Sequence, residues 1–200
     1  MLVSLSEVAS LVRGVTTTRF KAAPQDLKPT VEVGLYQIAD LHSLESKNPK
    51  DVLRVEKSEI KRYLLHTGDV LVSLVGAPLK ASVVTSDRTE IAGANVGIVQ
   101  PFTHLINPYF LAIVLRSESV TRQVEQRLTG TTVPHFALDA LKQINIPFLR
   151  LEQQASIVSA VKTQQEFERN LQECLDRERA LSSARLEYLL HRDESIKETR

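Results

Sequence analysis

A single cysteine, Cys174, stands in 200 residues, which excludes an internal disulfide framework and a cysteine-rich zinc site. A lone thiol of this kind fits a cytoplasmic protein. No apolar run approaches the ~18 residues that cross a bilayer, so no membrane partner is expected. The opening residues, MLVSLSEVASLVRG, carry no basic stretch ahead of the apolar ones and are interrupted by Glu7, unlike a secretory leader. The net charge of +1 excludes binding by bulk positive charge and equally excludes an acidic mimic of nucleic acid. A polyanion site must then be a local patch. The phosphate-cradling patterns GxGxxG and GxxxxGK are missing, as are HExxH and any Cys/His cluster. The histidines at 42, 66, 104, 135 and 191 are scattered, and no nucleophile elbow marks Ser–His–Asp chemistry. These absences point to a chain that is not an enzyme and holds no cofactor or metal of its own.

What is present is a globular pattern followed by a different one. Hydrophobic residues make up 42% of the chain, enough for a real core. Ser4-Leu5-Ser6-Glu7 reads as a capping box opening a short helix that carries Leu5, Val8, Ala9 and Val12 on one face and ends at Gly14. Residues 15–32 read as an irregular loop, residues 33–38 as a strand, and residues 42–51 as turn-rich. DVLVSLV (69–75) is a buried strand, with further strands at 81–85 and 94–100. Asn107-Pro108 reads as an N-cap with proline in the first turn. A second helix is expected over about 119–128 and a short one at 138–141. INIPFL (144–149) is a strand that proline confines to an edge. The pattern predicts a mixed α/β (α+β) domain over residues 1–150.

From Glu152 to about Arg192 there is no glycine and no proline. Phe167, Cys174, Leu181 and Tyr188 recur every seven residues, Leu171, Leu175 and Ala184 widen the stripe, and Ile157, Val158 and Val161 begin it. This predicts a long coiled-coil helix over residues 151–200. About 40 residues span roughly 60 Å, more than a 150-residue globule covers, so a second helix is expected on the stripe.

Cations cluster twice. KNPKDVLRVEKSEIKR (47–62) holds six Lys/Arg against three Asp/Glu. Arg13, Arg19, Lys21 and Lys28 make the first loop basic, with Asp26 the one acid among them. Such loops track phosphates while neighbouring Arg, Thr or His side chains read base edges. Arg19, Lys21, Lys57, Lys61, Arg62, Thr131, Thr132 and His135 are the candidate contacts. Two motifs resemble catalytic ones. Asn107-Pro108-Tyr109-Phe110 is like the adenine-gripping motif of methylases but lacks its second proline, and capping explains it better. Asp26, Glu45 and Lys47 have nuclease-like spacing but fall in turn-rich sequence.

In order and spacing the chain resembles the specificity subunits of type I restriction–modification enzymes. The carriers are LSEVASLVRG (5–14), LLHTGDVLVSLVG (64–76), INPYFLAIVLRSES (106–119) and GTTVPHFALDALKQINIPFLRLEQQASIV (130–158). The family more often shows Pro-Pro where this chain has Pro147-Phe148. The resemblance implies one target-recognition domain plus one helix, half the family's usual length. It implies double-stranded DNA as ligand, with a second copy, a methylation subunit and a restriction subunit as partners. Ile157, Val161, Phe167, Leu171, Cys174, Leu175, Leu181 and Tyr188 become the partner face. S-adenosylmethionine, ATP and magnesium are then expected on the partner subunits, which do the catalysis. Two helices packed antiparallel over about 40–50 Å would separate two half-sites by roughly 12–15 base pairs. The rivals are a standalone adenine methylase or nuclease, and a coiled-coil assembly protein that never touches DNA.

Overall fold

The computed structural model describes residues 1–16, 30–56, 60–128 and 135–197, with side chains through residue 189. The first elements are strand β1 (Leu2–Ser4) and a single helical turn, α1 (Leu5–Val8). The expected capping box is there: the Ser4 N–H and hydroxyl both donate to the Glu7 carboxylate, at 2.7 and 2.8 Å. Those two bonds, the backbone one first, hold the Glu7 carboxyl below its ordinary range. The helix does not run to Gly14 as its periodicity suggested. Residues 9–13 are strand β2 (Ala9–Arg13), because β8 (Val96–Pro101) offers them a complete antiparallel partner, from Ala9↔Pro101 to Arg13↔Gly97. Long-range pairing overrides a weak local preference. Gly14 is not a helix cap. A Cβ there would collide with the carbonyl oxygens of Ala92 and Gly93, so glycine permits two backbones to touch.

Two sheets organise the core. The four-stranded one runs β2-β8-β5-β6, all antiparallel, with β5 (Val70–Ser73) and β6 (Ala81–Val83) buried along their whole length. The three-stranded one runs β4-β3-β7, from β3 (Thr30–Tyr36), β4 (Asp51–Glu56) and β7 (Glu90–Ala92). Here β3 pairs antiparallel with β4 and parallel with β7. Strands β4 and β7 were not expected from the sequence. β4 is an edge strand with Asp51, Val52 and Arg54 exposed, and it has the charged character that protects such edges. β7 is three residues long, too short for a periodicity to show. Val33, Leu35, Val55, Ile60 and Ile91 form one buried cluster, and Tyr36, Leu41, Leu71, Val96 and Ile98 belong to another.

The helices follow. Asn107 caps α2 (Pro108–Leu115), its Oδ1 accepting from the N–H groups of Tyr109 and Phe110 at 2.9 and 3.3 Å. Ser117 caps α3 (Glu118–Glu125), and α4 (Leu138–Lys142) precedes β9 (Asn145–Pro147). β9 pairs only with β1, the edge position its proline requires. Phe148, at the variant Pro-Phe step, donates its N–H to the Met1 carbonyl at 2.9 Å. The chain then enters α5 (Leu151–Lys197), 47 residues long. Its first turn carries a fully buried amide, Gln154. Gln154 Oε1 accepts from the Asn107 N–H at 2.7 Å, and Nε2 donates to the carbonyls of Leu105 and Leu149 at 3.0 and 2.8 Å. The chain divides into two compact units, Met1–Ser156 and Ile157–Arg200. Among the described residues no helix is long and apolar enough to cross a membrane.

Two predictions arise here. Gln154→Ala leaves one backbone N–H and two carbonyls without their partners, so the unfolding free energy should fall by about 2–4 kcal/mol in urea titrations. An unchanged midpoint would show that water replaces the amide. Glu90 is buried, and its Oε2 has no hydrogen-bond partner. Burial pushes its carboxyl above the ordinary 4.5, against weaker lowering by Tyr36, Ser86 and Arg88. Beside it, burial pushes the Tyr36 phenol up to about 12. A carboxyl raised in the folded state keeps its proton longer there, so it costs stability as pH rises from 4.5 upward. Glu90→Gln should therefore gain stability over the native chain at about pH 8, with the gap closing toward about pH 4, read by thermal unfolding across that range.

Candidate nucleic-acid interface

Basic side chains on this domain are placed by buried neighbours. Ile60 is 2% exposed and joins the Val33–Val55 cluster, and Tyr63 and Leu64 pack partly against it. Between them a 3-10 turn, Lys61–Tyr63, presents Lys61 and Arg62 to solvent. The Arg62 guanidinium lies over the Tyr63 ring, 4.8 Å from its centroid. That contact orients the cation without neutralising it. The segment then reaches the far edge strand, where the Leu65 N–H donates to the Glu90 carbonyl at 3.0 Å. Arg54, in the same basic stretch, is partly offset by Glu32 at 3.2 Å, a pair exposed enough to be weak.

Thr30, at the start of β3, is the partner of Glu56, at the end of β4. Arg19, Lys21, Lys57, Thr131 and Thr132 themselves lie outside the described residues.

His135 adjoins the four-stranded sheet, just beyond β5. It forms a bridge with Val75, and the next residue, buried Phe136, donates its N–H to the Leu74 carbonyl at 2.9 Å. Leu74 in turn donates to the Asn95 carbonyl at 2.8 Å. Asn95 lines a cleft of about 390 Å³ with Gln37, Asp40, Lys50 and Asp51. Gln37 is held in place there, its Nε2 donating to Asp51 at 3.1 Å and its N–H to Asp40 at 2.8 Å. Arg13 stands close by, its Nε donating to the Ala94 carbonyl at 3.1 Å. Amides beside an ammonium are the groups that match the edges of adenine and guanine. The described candidates thus adjoin different sheets: Lys61 and Arg62 stand on a turn beside the buried cluster of the three-stranded sheet, and His135 bridges Val75 just beyond β5 of the four-stranded one. Gln37 and Asn95 were missed from the sequence, since nothing local marks them and only the strand pairing brings them together.

The methylase-like motif has another task in the fold. Asn107 spends its side-chain oxygen as a helix cap. Glu45 and Lys47 are exposed on a segment bridged to Val83, and Asp26 lies outside the described residues. Among the described residues no group of His, Cys, Asp and Glu is placed to hold a metal ion.

The residues expected to face a partner lie along α5. Phe167, Leu171, Leu175, Leu181 and Tyr188 are between 45% and 67% exposed, so the apolar stripe is uncovered among the described residues. Cys174 is exposed among them and Ile157 is 36% exposed, while Val161 is half-buried.

No family model matches the chain, and no curated protein matches it in sequence. Solved structures do. A crystal structure of the HsdS subunit from Thermoanaerobacter tengcongensis matches over 86% of this chain and 43% of its own, at 21% identity and a TM-score of 0.64. A type I restriction–modification S subunit from M. genitalium matches over 86% and 40%, at 14% identity and 0.54. A chain from a structure concerned with complex assembly and conformational transition of the type I R-M system matches over 94% and 43%, at 20% identity and 0.60. The chain spans about two-fifths of the length of each of these. Its mixed sheet-and-helix domain and long C-terminal helix thus have the fold seen in part of the type I restriction–modification S subunit.

Proposed function

We propose that the chain is a DNA-specificity subunit that reads one half-site for a type I restriction–modification complex. The observation that carries this reading is the fold it shares with solved S subunits over nearly its whole length. The exposed helix stripe, the solvent-facing Lys61 and Arg62 and the amide-bearing cleft fit it. Arg19, Lys21, Lys57, Lys61 and Arg62 hold the phosphate backbone. His135, Thr131 and Thr132, with Gln37, Lys50 and Asn95, read base edges. The stripe from Ile157 to Tyr188 receives a second copy and docks the methylation subunit, with a restriction subunit joining later. S-adenosylmethionine, ATP and magnesium act on those partners.

Two measurements test this. The double variant Lys61→Glu/Arg62→Glu should weaken binding to all duplexes alike. For each phosphate that a cation no longer neutralises, the plot of log affinity against log salt should flatten by about one unit. His135→Ala or Asn95→Ala should instead relax preference at one base position while leaving the salt slope alone. Affinity untouched by all four substitutions would move the DNA surface elsewhere. The second measurement separates a reader from an enzyme. The purified chain should neither bind S-adenosylmethionine nor methylate or cut DNA with any divalent metal. Adding a cognate methylation subunit should produce methylation at a split target. Methylation or cleavage by the isolated chain, abolished by Asn107→Ala or Glu45→Ala, would replace this reading with a catalytic one.

A further inference from the structure

The charged side chains of α5 between residues 166 and 189 fall into two groups. Most are satisfied along the helix itself. Arg169 pairs with Glu166 and Arg177 with Glu173, each at 3.9 Å, and Arg179 pairs with Asp176 at 3.4 Å. Glu168 and Asp176 also accept from Gln164 and Gln172, both at 3.0 Å. Glu178, Arg185 and Glu187 have no such partner among the described residues. At ~100° per residue, Glu187 lies on the face opposite Phe167. Glu178 and Arg185 lie within about 20° of Phe167, in the middle of the apolar stripe that also carries Leu171, Cys174, Leu181 and Leu189. An unpaired carboxylate and an unpaired guanidinium on a face meant to be covered are costly unless each meets its opposite there.

One arrangement satisfies both at once. Glu178 and Arg185 are seven residues apart, about 10 Å along the helix, too far to meet each other. A second copy running antiparallel brings Glu178 opposite its partner's Arg185, twice, when the two-fold axis passes between Leu181 and Ser182. In that register Cys174 faces Leu189 of the second copy and Leu175 faces Tyr188, so large apolar groups flank both ion pairs on either side. We infer that α5 pairs with a second copy of this chain in this one antiparallel register, set by two Glu178–Arg185 bridges. This rests on the second-copy reading above and adds its register. Polar groups set into an apolar seam are a known means of fixing register at some cost in affinity.

The full-length chain and its variants, compared by sedimentation equilibrium, test it. The native chain should dimerise at micromolar concentration. E178R and R185E each place two like-charge pairs in the seam, and each should raise the dimer dissociation constant about tenfold or more. The double variant E178R/R185E should return it to within about threefold of native. Oxidative cross-linking gives an independent reading. The native Cys174 thiols would be 15 residues out of step, about 22 Å apart along the axis, and should not join. S182C in a C174A background places its thiols almost at the axis and should join readily. A dimer indifferent to the single reversals, a double variant that is not rescued, or efficient cross-linking through Cys174 would overturn the register while leaving the second-copy reading standing. A native chain that stays monomeric would overturn both.

Discussion

The side-chain amide of Gln154 holds together the part of the domain from which the long helix starts. A buried amide has two donors and one strongly accepting oxygen to satisfy, and here each finds a backbone partner. The oxygen takes the N–H of Asn107, the residue whose own side chain caps α2. The nitrogen takes the Leu105 carbonyl just before that cap and the Leu149 carbonyl just after β9. One side chain thereby fixes the start of α2, the exit of β9 and the first turn of α5. Its neighbour Gln153 accepts from the Arg150 N–H at 3.1 Å and caps the same turn. The Leu-Glu-Gln-Gln run has a mechanical meaning: one glutamine closes the helix end and the other locks it into the domain.

The sheets do for the polar surface what Gln154 does for the helix. Base reading needs groups that are rigid as well as polar, and strand ends supply rigidity where a free loop does not. Parallel pairing of β3 with β7 and antiparallel pairing with β4 bring Gln37, Asp51 and Asn95 into one cleft. The same pairing sets Thr30 opposite Glu56 at the other end of β3. Glu90 shows the cost of such packing. One oxygen of its buried carboxyl is unmatched, and burial raises its proton affinity.

The helix beyond residue 156 works by different rules. Its side chains are exposed, so its information lies in which charges are already spent. Pairs at three- and four-residue spacing sit on the flanks and back and contribute a few tenths of a kcal/mol each. Of the three charges left over, Glu178 and Arg185 lie on the apolar stripe, where desolvation on covering makes pairing with another chain matter far more. In the proposed dimer a second copy covers the stripe of exposed leucines, and Glu178 and Arg185 align it.

The sequence by itself determined the elements whose signals are local. The Ser4–Glu7 capping box, the Asn107 cap, the buried strand at 70–73, the edge strand at Pro147 and the long helix were all legible. Each depends on residues within a few positions of one another, and the long apolar period averages over many turns. The ordered set of motifs also anticipated the fold shared with solved S subunits. Tertiary structure decided the rest. Ala9–Arg13 became a strand because β8, far along the chain, offers it a full set of partners, and Gly14 is glycine because Gly93 presses on it. Gln37 and Asn95, which nothing local marks, were brought into one cleft. Hydrogen-bond register between distant strands sets those outcomes, and register is a property of the folded sheet that no single segment carries.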